Sequence, residues 1–89
     1  MAGVIKPVKY KNGEGIDFSD KTLESNAVYA IGNLKSQTTN PPVDSGAAVL
    51  YYKLQIGGIV WDLVVGVDTP LMYGRYSVSS SIGTWNKLL

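Results

Sequence analysis

Tyr73, Arg75, Tyr76 and Trp85 are the side chains whose types and spacing could do chemistry together. Aromatic faces beside a guanidinium stack on a sugar ring or cover the surface of a partner. The competing reading is structural, with Trp85 packed on the central ribbon and Arg75 in an ion pair with Asp62 or Asp68. Asp17, Asp20 and Glu24 form the densest acidic group, but a calcium loop alternates its acids and carries a fixed glycine and a closing glutamate. Solvated surface is the expectation for these three, and no metal and no cofactor is assigned. Gly13-x-Gly15 has too few glycines to cradle a phosphate, and Ser79-Ser80-Ser81 has no base to activate a hydroxyl. The chain has no histidine, no cysteine and only 7 acidic residues, so the usual nucleophile–base pairs and nitrogen-rich metal sites are missing. The expectation is that it is not an enzyme.

Length and charge narrow the alternatives further. Eighty-nine residues give one small domain, near the size at which a single core is barely sufficient and association often supplies the remaining burial. Eight basic and 7 acidic residues leave a net charge of +1, with the lysines scattered, so no nucleic-acid partner is expected. Residues 1–7 have no apolar core of signal-peptide length, and no stretch approaches the ~20 apolar residues of a membrane span. A soluble, unsecreted chain with no membrane insertion is the expectation. The absence of cysteine excludes disulfides and thiolate sites.

The elements that must position these side chains are strands. Residues 47–56 and 59–65 are β-prone runs separated only by Gly57-Gly58, a strong hairpin signal because glycine adopts the angles of a tight primed turn without steric cost. Closing the turn there puts Ile56 opposite Ile59, Leu54 opposite Trp61, Tyr52 opposite Leu63 and Leu50 opposite Val65. That face is expected to be the core. The reverse face pairs Lys53 with Asp62, Tyr51 with Val64 and Gln55 with Val60, and is therefore only half polar. Val49, Tyr51, Val60 and Val64 are accordingly expected to form an oligomer or docking interface. The expectation requires Tyr52 and Leu54 to point inward.

Along the rest of the chain, residues 4–10, with Pro7, read as an extended arm, and 11–15 as a turn. Ser19 or Asp20 is placed to cap a single helical turn over 21–24. Residues 27–31 form a short strand, 34–45 a loop around Asn40-Pro41-Pro42, 71–78 another strand, and 84–89 a last one. The fold expected is all-β, a small antiparallel β-sandwich or partly open barrel of five to seven short strands, with an extended N-terminal arm. Residues 1–26 are assigned as an arm or anchor segment and 27–89 as the β domain.

The order of signals from residue 29 onward resembles the knob-type domains of phage tail fibres and tail-like bacteriocins, often called pyocin-knob-type domains. The likeness rests on Tyr29 in an aromatic strand, the Asn40-Pro41-Pro42 loop, Gly46 before the hairpin and Gln55 near its bend. It rests most on Leu71-Met72-Tyr73-Gly74-Arg75-Tyr76 followed by Gly83-Thr84-Trp85. Asn86-Lys87-Leu88-Leu89 stands where such domains carry a further tryptophan. The resemblance implies a bacteriophage structural protein of the tail fibre, baseplate or capsid, commonly a homotrimer, assembled in the host cytoplasm into the virion. Its partners would be other virion proteins and, for host attachment, a host surface glycan. The alternative class is a carbohydrate-binding module using Tyr73, Arg75, Tyr76 and Trp85, and a third option is an inhibitor of a host protein.

Overall fold

The computed structural model describes residues 9–79 and 81–89. Eight strands and one helical turn follow in the order β1 (Lys9–Asn12), β2 (Ile16–Asp17), β3 (Ala27–Ile31), α1 (Leu34–Gln37), β4 (Thr38–Thr39), β5 (Val49–Ile56), β6 (Ile59–Gly66), β7 (Met72–Val78) and β8 (Asn86–Lys87). Six of the strands make one sheet in the order β1-β3-β5-β6-β7-β8, and β2 and β4 pair as a second, two-stranded sheet. Pairing is antiparallel from β3 to β8, whereas β1 runs parallel to β3 and β2 parallel to β4. The molecule is all-β with one helical turn, as the pattern of apolar runs predicts.

The β5–β6 hairpin closes at Gly57-Gly58, and its register pairs Ile56 with Ile59, Leu54 with Trp61, Tyr52 with Leu63 and Leu50 with Val65. Of the two loop glycines Gly57 alone has a positive φ, at +57°, the arrangement of a loop that needs glycine at its first central position.

The two faces of this ribbon are the reverse of the expected ones. Val49, Tyr51 and Val64 are buried in the subunit's own core, Tyr51 and Val64 with no exposure at all, and Val60 is half-buried on the same face. They are therefore not an open docking interface. Leu54, Ile56, Ile59 and Trp61, expected inside, are exposed, Ile56 by 76 %. Tyr52, Leu50, Leu63 and Val65 are half-buried. The physical reason is the layer that packs on the sheet. Ile16, Phe18 and Leu34 lie against Tyr29, Ile31, Val49, Tyr51 and Val64, and Leu23, Val43, Ala47, Leu71 and Trp85 flank that core.

Two of these covering residues come from the stretch assigned as an arm. From Lys9 onward that stretch is built into the globule: β1 extends the main sheet, and Ile16 and Phe18 enter the core. The part of the expected arm over residues 1–8 lies outside the described residues. The helical turn also differs from expectation. Residues 21–24 form no helix but a turn followed by a bend, in which Asp20 Oδ1 accepts from the Thr22 amide at 2.8 Å, a local arrangement that competes with helix. The single helical turn is α1, inside the expected loop, where the Asn33 side chain accepts from the Ser36 amide at 3.1 Å and caps it. The closing strand is shorter than expected, because Gly83 lies against the Tyr76 carbonyl so closely that a Cβ would stand 1.8 Å from its oxygen. Pairing resumes only at Asn86.

Candidate functional site

Strand alternation places Tyr73 and Arg75 on the inward side of β7 and Tyr76 on the outward side, so the four candidate ligand residues do not share one surface. Tyr73 is half-buried beside Val64. Arg75 is 6 % exposed. Its Nε donates to Asp62 Oδ2 at 2.8 Å, its Nη2 donates to the Phe18 carbonyl, and its guanidinium lies 4.4 Å from the centre of the Trp85 ring. Trp85 in turn meets Phe18 edge-on at 5.7 Å. Of the two readings of these residues, the structural one describes Arg75 and Trp85: the ion pair is with Asp62. Tyr76 is 54 % exposed and packs on Trp61 at 5.3 Å on the opposite face.

The inward face carries a row of charge that the sequence shows only as one cross-strand pair. Ala27, Lys53, Asp62 and Arg75 stand in register across β3, β5, β6 and β7. Asp62 is the anion at its centre and is 2 % exposed. Its Oδ1 accepts from the Tyr51 hydroxyl at 2.5 Å and its Oδ2 from Arg75, with the Lys53 ammonium 3.7 Å from Oδ1. Phe18 and Tyr29 hold the Tyr51 ring at centroid distances of 4.7 and 5.4 Å. Both carboxylate oxygens are thus filled by donors. That satisfaction is what allows Asp62 and Arg75 inside so small a core, whereas Lys53 adds its charge without a hydrogen bond to the pair.

Burial, reinforced by the neighbouring Asp62 charge, pushes the Tyr51 hydroxyl above its ordinary value of 10.0. A folded-state value raised above the unfolded one contributes stability in full below the unfolded value and loses it as pH climbs past it. Stability is therefore expected to fall on raising the pH beyond about 10, more steeply in the native chain than in Tyr51→Phe. Urea midpoints measured between pH 8 and pH 11 check this, and parallel curves for the two chains would refute it.

The acidic group of the sequence is dispersed. Asp17 Oδ1 accepts from the Ser19 amide and the Asn40 side chain, Asp20 is tied to Thr22, and Glu24 pairs with Lys11 at 2.9 Å. Among the described residues no three metal-ligating side chains gather.

The outward face of the sheet is the other surface with functional character. Its positions on β5, β6 and β7 are Leu50, Tyr52, Leu54 and Ile56; Ile59, Trp61, Leu63 and Val65; and Met72, Gly74, Tyr76 and Val78. None is charged. Leu88 folds back over Gly74, where a Cβ would come 2.9 Å from the leucine Cδ1, and covers one side of the patch. The rest is open. Comparison with known proteins finds no matching family, no curated relative and no similar solved structure. The functional reading therefore rests on these two surfaces and on the sequence resemblance. The outward face had a legible signal, since the register was readable and every one of its β5 and β6 residues is apolar or tyrosine. Which of the two apolar faces would be covered was not readable, because the covering residues come from β2, from Phe18 in the turn after it, and from α1.

Proposed function

We propose that this chain is a non-catalytic structural subunit that acts by association through the outward face of β5, β6 and β7, with a second copy of the chain as its partner on that face. One observation carries the reading: an uncharged sheet face with Ile56, Trp61 and Tyr76 each close to half exposed or more. Taking ~150–250 Å² for a large side chain, the exposed parts of Leu54, Ile56, Ile59, Trp61, Tyr76 and Val78 amount to roughly 600 Å². That is at the upper limit of the largest patch on a typical monomer and near the ~800 Å² per partner of a stable interface. A face without charge meets its own copy with no like-charge repulsion, as a symmetric contact requires.

The wider setting we propose is the virion of a bacteriophage, as a tail-fibre, baseplate or capsid-attached knob or adaptor, with other virion proteins as further partners. Its support is the pattern of Tyr29, Asn40-Pro41-Pro42, Arg75 and Gly83-Thr84-Trp85. The carbohydrate-binding alternative is not carried forward, because Arg75 and Tyr76 lie on opposite faces and the Arg75 donors Nε and Nη2 are engaged inside.

Mass measurement on the full chain at micromolar concentration tests the reading. The expected result is two or three times the 9.6 kDa of the chain. A folded monomer that stays dispersed would overturn self-association.

A further inference from the structure

A cleft of about 260 Å³ opens on the inward side of the sheet, away from the apolar face. Phe18, Ser19, Lys53, Val60, Arg75 and Ser77 line it, with Gly58 and Ile82 also on its wall. Its size suits a ligand smaller than a drug-sized molecule. Its wall includes the charged row, and the donors and acceptors there do not balance. Both Asp62 oxygens are engaged, by Tyr51 and Arg75, and Arg75 also donates to the Phe18 carbonyl. Lys53 is different. Its side chain is 8 % exposed, its nearest carboxylate oxygen is Asp62 Oδ1 at 3.7 Å, and that distance is too long for a hydrogen bond. Among the described residues no fully enclosed polar side-chain atom lacks a partner, so the ammonium reaches the space of the cleft.

The wall therefore holds two buried cations for one buried anion, and three ammonium hydrogens without a protein acceptor. A buried charge is retained at low cost only when it is paired and hydrogen-bonded. Asp20, also on the cleft, is tied into its own turn by the Thr22 amide and hydroxyl, at 2.8 and 2.6 Å, and attracts the Lys53 charge through space without forming a hydrogen bond or ion pair with it. The geometry points to a binding site for a small ligand bearing one carboxylate, which the Lys53 ammonium receives while Phe18, Val60 and Ile82 contact the ligand's body. The site lies on the opposite side of the sheet from the proposed subunit contact, so the two readings stand or fall separately.

Titration of the ¹⁵N-labelled full chain with three probes tests the site: D-glucuronate as an acidic sugar, N-acetylglycine as a peptide carboxyl terminus, and D-glucose as the neutral control. At least one of the two carboxylates is expected to bind about tenfold more tightly than glucose, shifting the amides of Gln55, Val60 and Ser77. Which one does so identifies the source of the carboxylate. Lys53→Gln is expected to remove that advantage. Gly58→Glu gives an independent reading should the first variant fail to fold. Gly58 has no positive φ and a Cβ there meets open space, so the new carboxylate is accommodated on the wall and competes with the ligand's. Equal, weak responses to all three probes would overturn the site. So would an unchanged carboxylate affinity in a folded Lys53→Gln or in Gly58→Glu.

Discussion

Asp62→Ala is expected to cost about 3–5 kcal/mol, the loss seen when one partner of a buried ion pair is removed. The size of the effect follows from what the substitution leaves behind. Arg75 and Lys53 would remain in the interior as cations without their anion, at 6 % exposure each, and the Tyr51 hydroxyl would lose its acceptor. Arg75 would keep only the Phe18 carbonyl and the Trp85 ring. For a domain whose whole stability is of the order of 5–15 kcal/mol, such a loss leaves a substantially unfolded population. Urea unfolding followed by tryptophan fluorescence measures it, with a midpoint lowered by roughly 2–4 M. Asp62→Asn keeps an oxygen that can accept from Tyr51 and is expected to lose less than Asp62→Ala, though still most of the effect, because the charge is gone. Replacing the row together, as Lys53→Met, Asp62→Leu and Arg75→Met, is expected to recover part of the loss, since no cation is then stranded. A cost below about 1 kcal/mol for Asp62→Ala would mean that the row behaves as a surface ion pair.

The same row explains why the hairpin was legible and its orientation was not. The Gly57-Gly58 loop and the two apolar runs fix the register through local geometry, and every pair follows from it. Nothing local fixes which face is covered. Lys53 opposite Asp62 reads as a solvent marker when only two strands are considered, and charged side chains are indeed seldom buried. The third strand changes the outcome by bringing Arg75 opposite Asp62. Phe18, from residues with no sustained pattern, then supplies both a carbonyl for Arg75 and a ring for Tyr51 and Trp85. These are contacts across 57 residues of sequence in the case of Phe18 and Arg75, beyond the reach of periodicity. Packing of Trp85 within the subunit was one of the two readings the sequence offered, but the face it packs on, beside Phe18 and Arg75, was not legible because it depends on which side of the ribbon is covered. Tyr76 was grouped with Tyr73 and Arg75 by proximity in sequence, although alternation along a strand separates neighbours.

Inverting the faces moves the unsatisfied apolar area to the surface without removing it, and Trp61→Glu is the substitution that measures the consequence. Trp61 stands in a row with Leu54 and Tyr76, at the middle of the open face, and is 46 % exposed. Within one subunit the change is mild. It loses the ring contact with Tyr76, about 0.5–1.5 kcal/mol, and the new carboxylate keeps access to water. In a symmetric assembly the same carboxylate enters an apolar contact once per copy, with no cation on the facing β5, β6 or β7 positions to receive it. Burying two such groups at roughly 2–3 kcal/mol each predicts an affinity lower by about three to four orders of magnitude. The chain is then expected at 9.6 kDa where the native chain sediments as a multimer, with its fold retained by circular dichroism. Ser36→Glu is the matched control: it makes the same change in net charge at an exposed position of α1, in the layer that packs on the inward face, and is expected to leave the mass unchanged. If Trp61→Glu keeps the native mass, the copies meet elsewhere and the apolar face has another occupant. If both variants dissociate, net charge rather than this surface controls association.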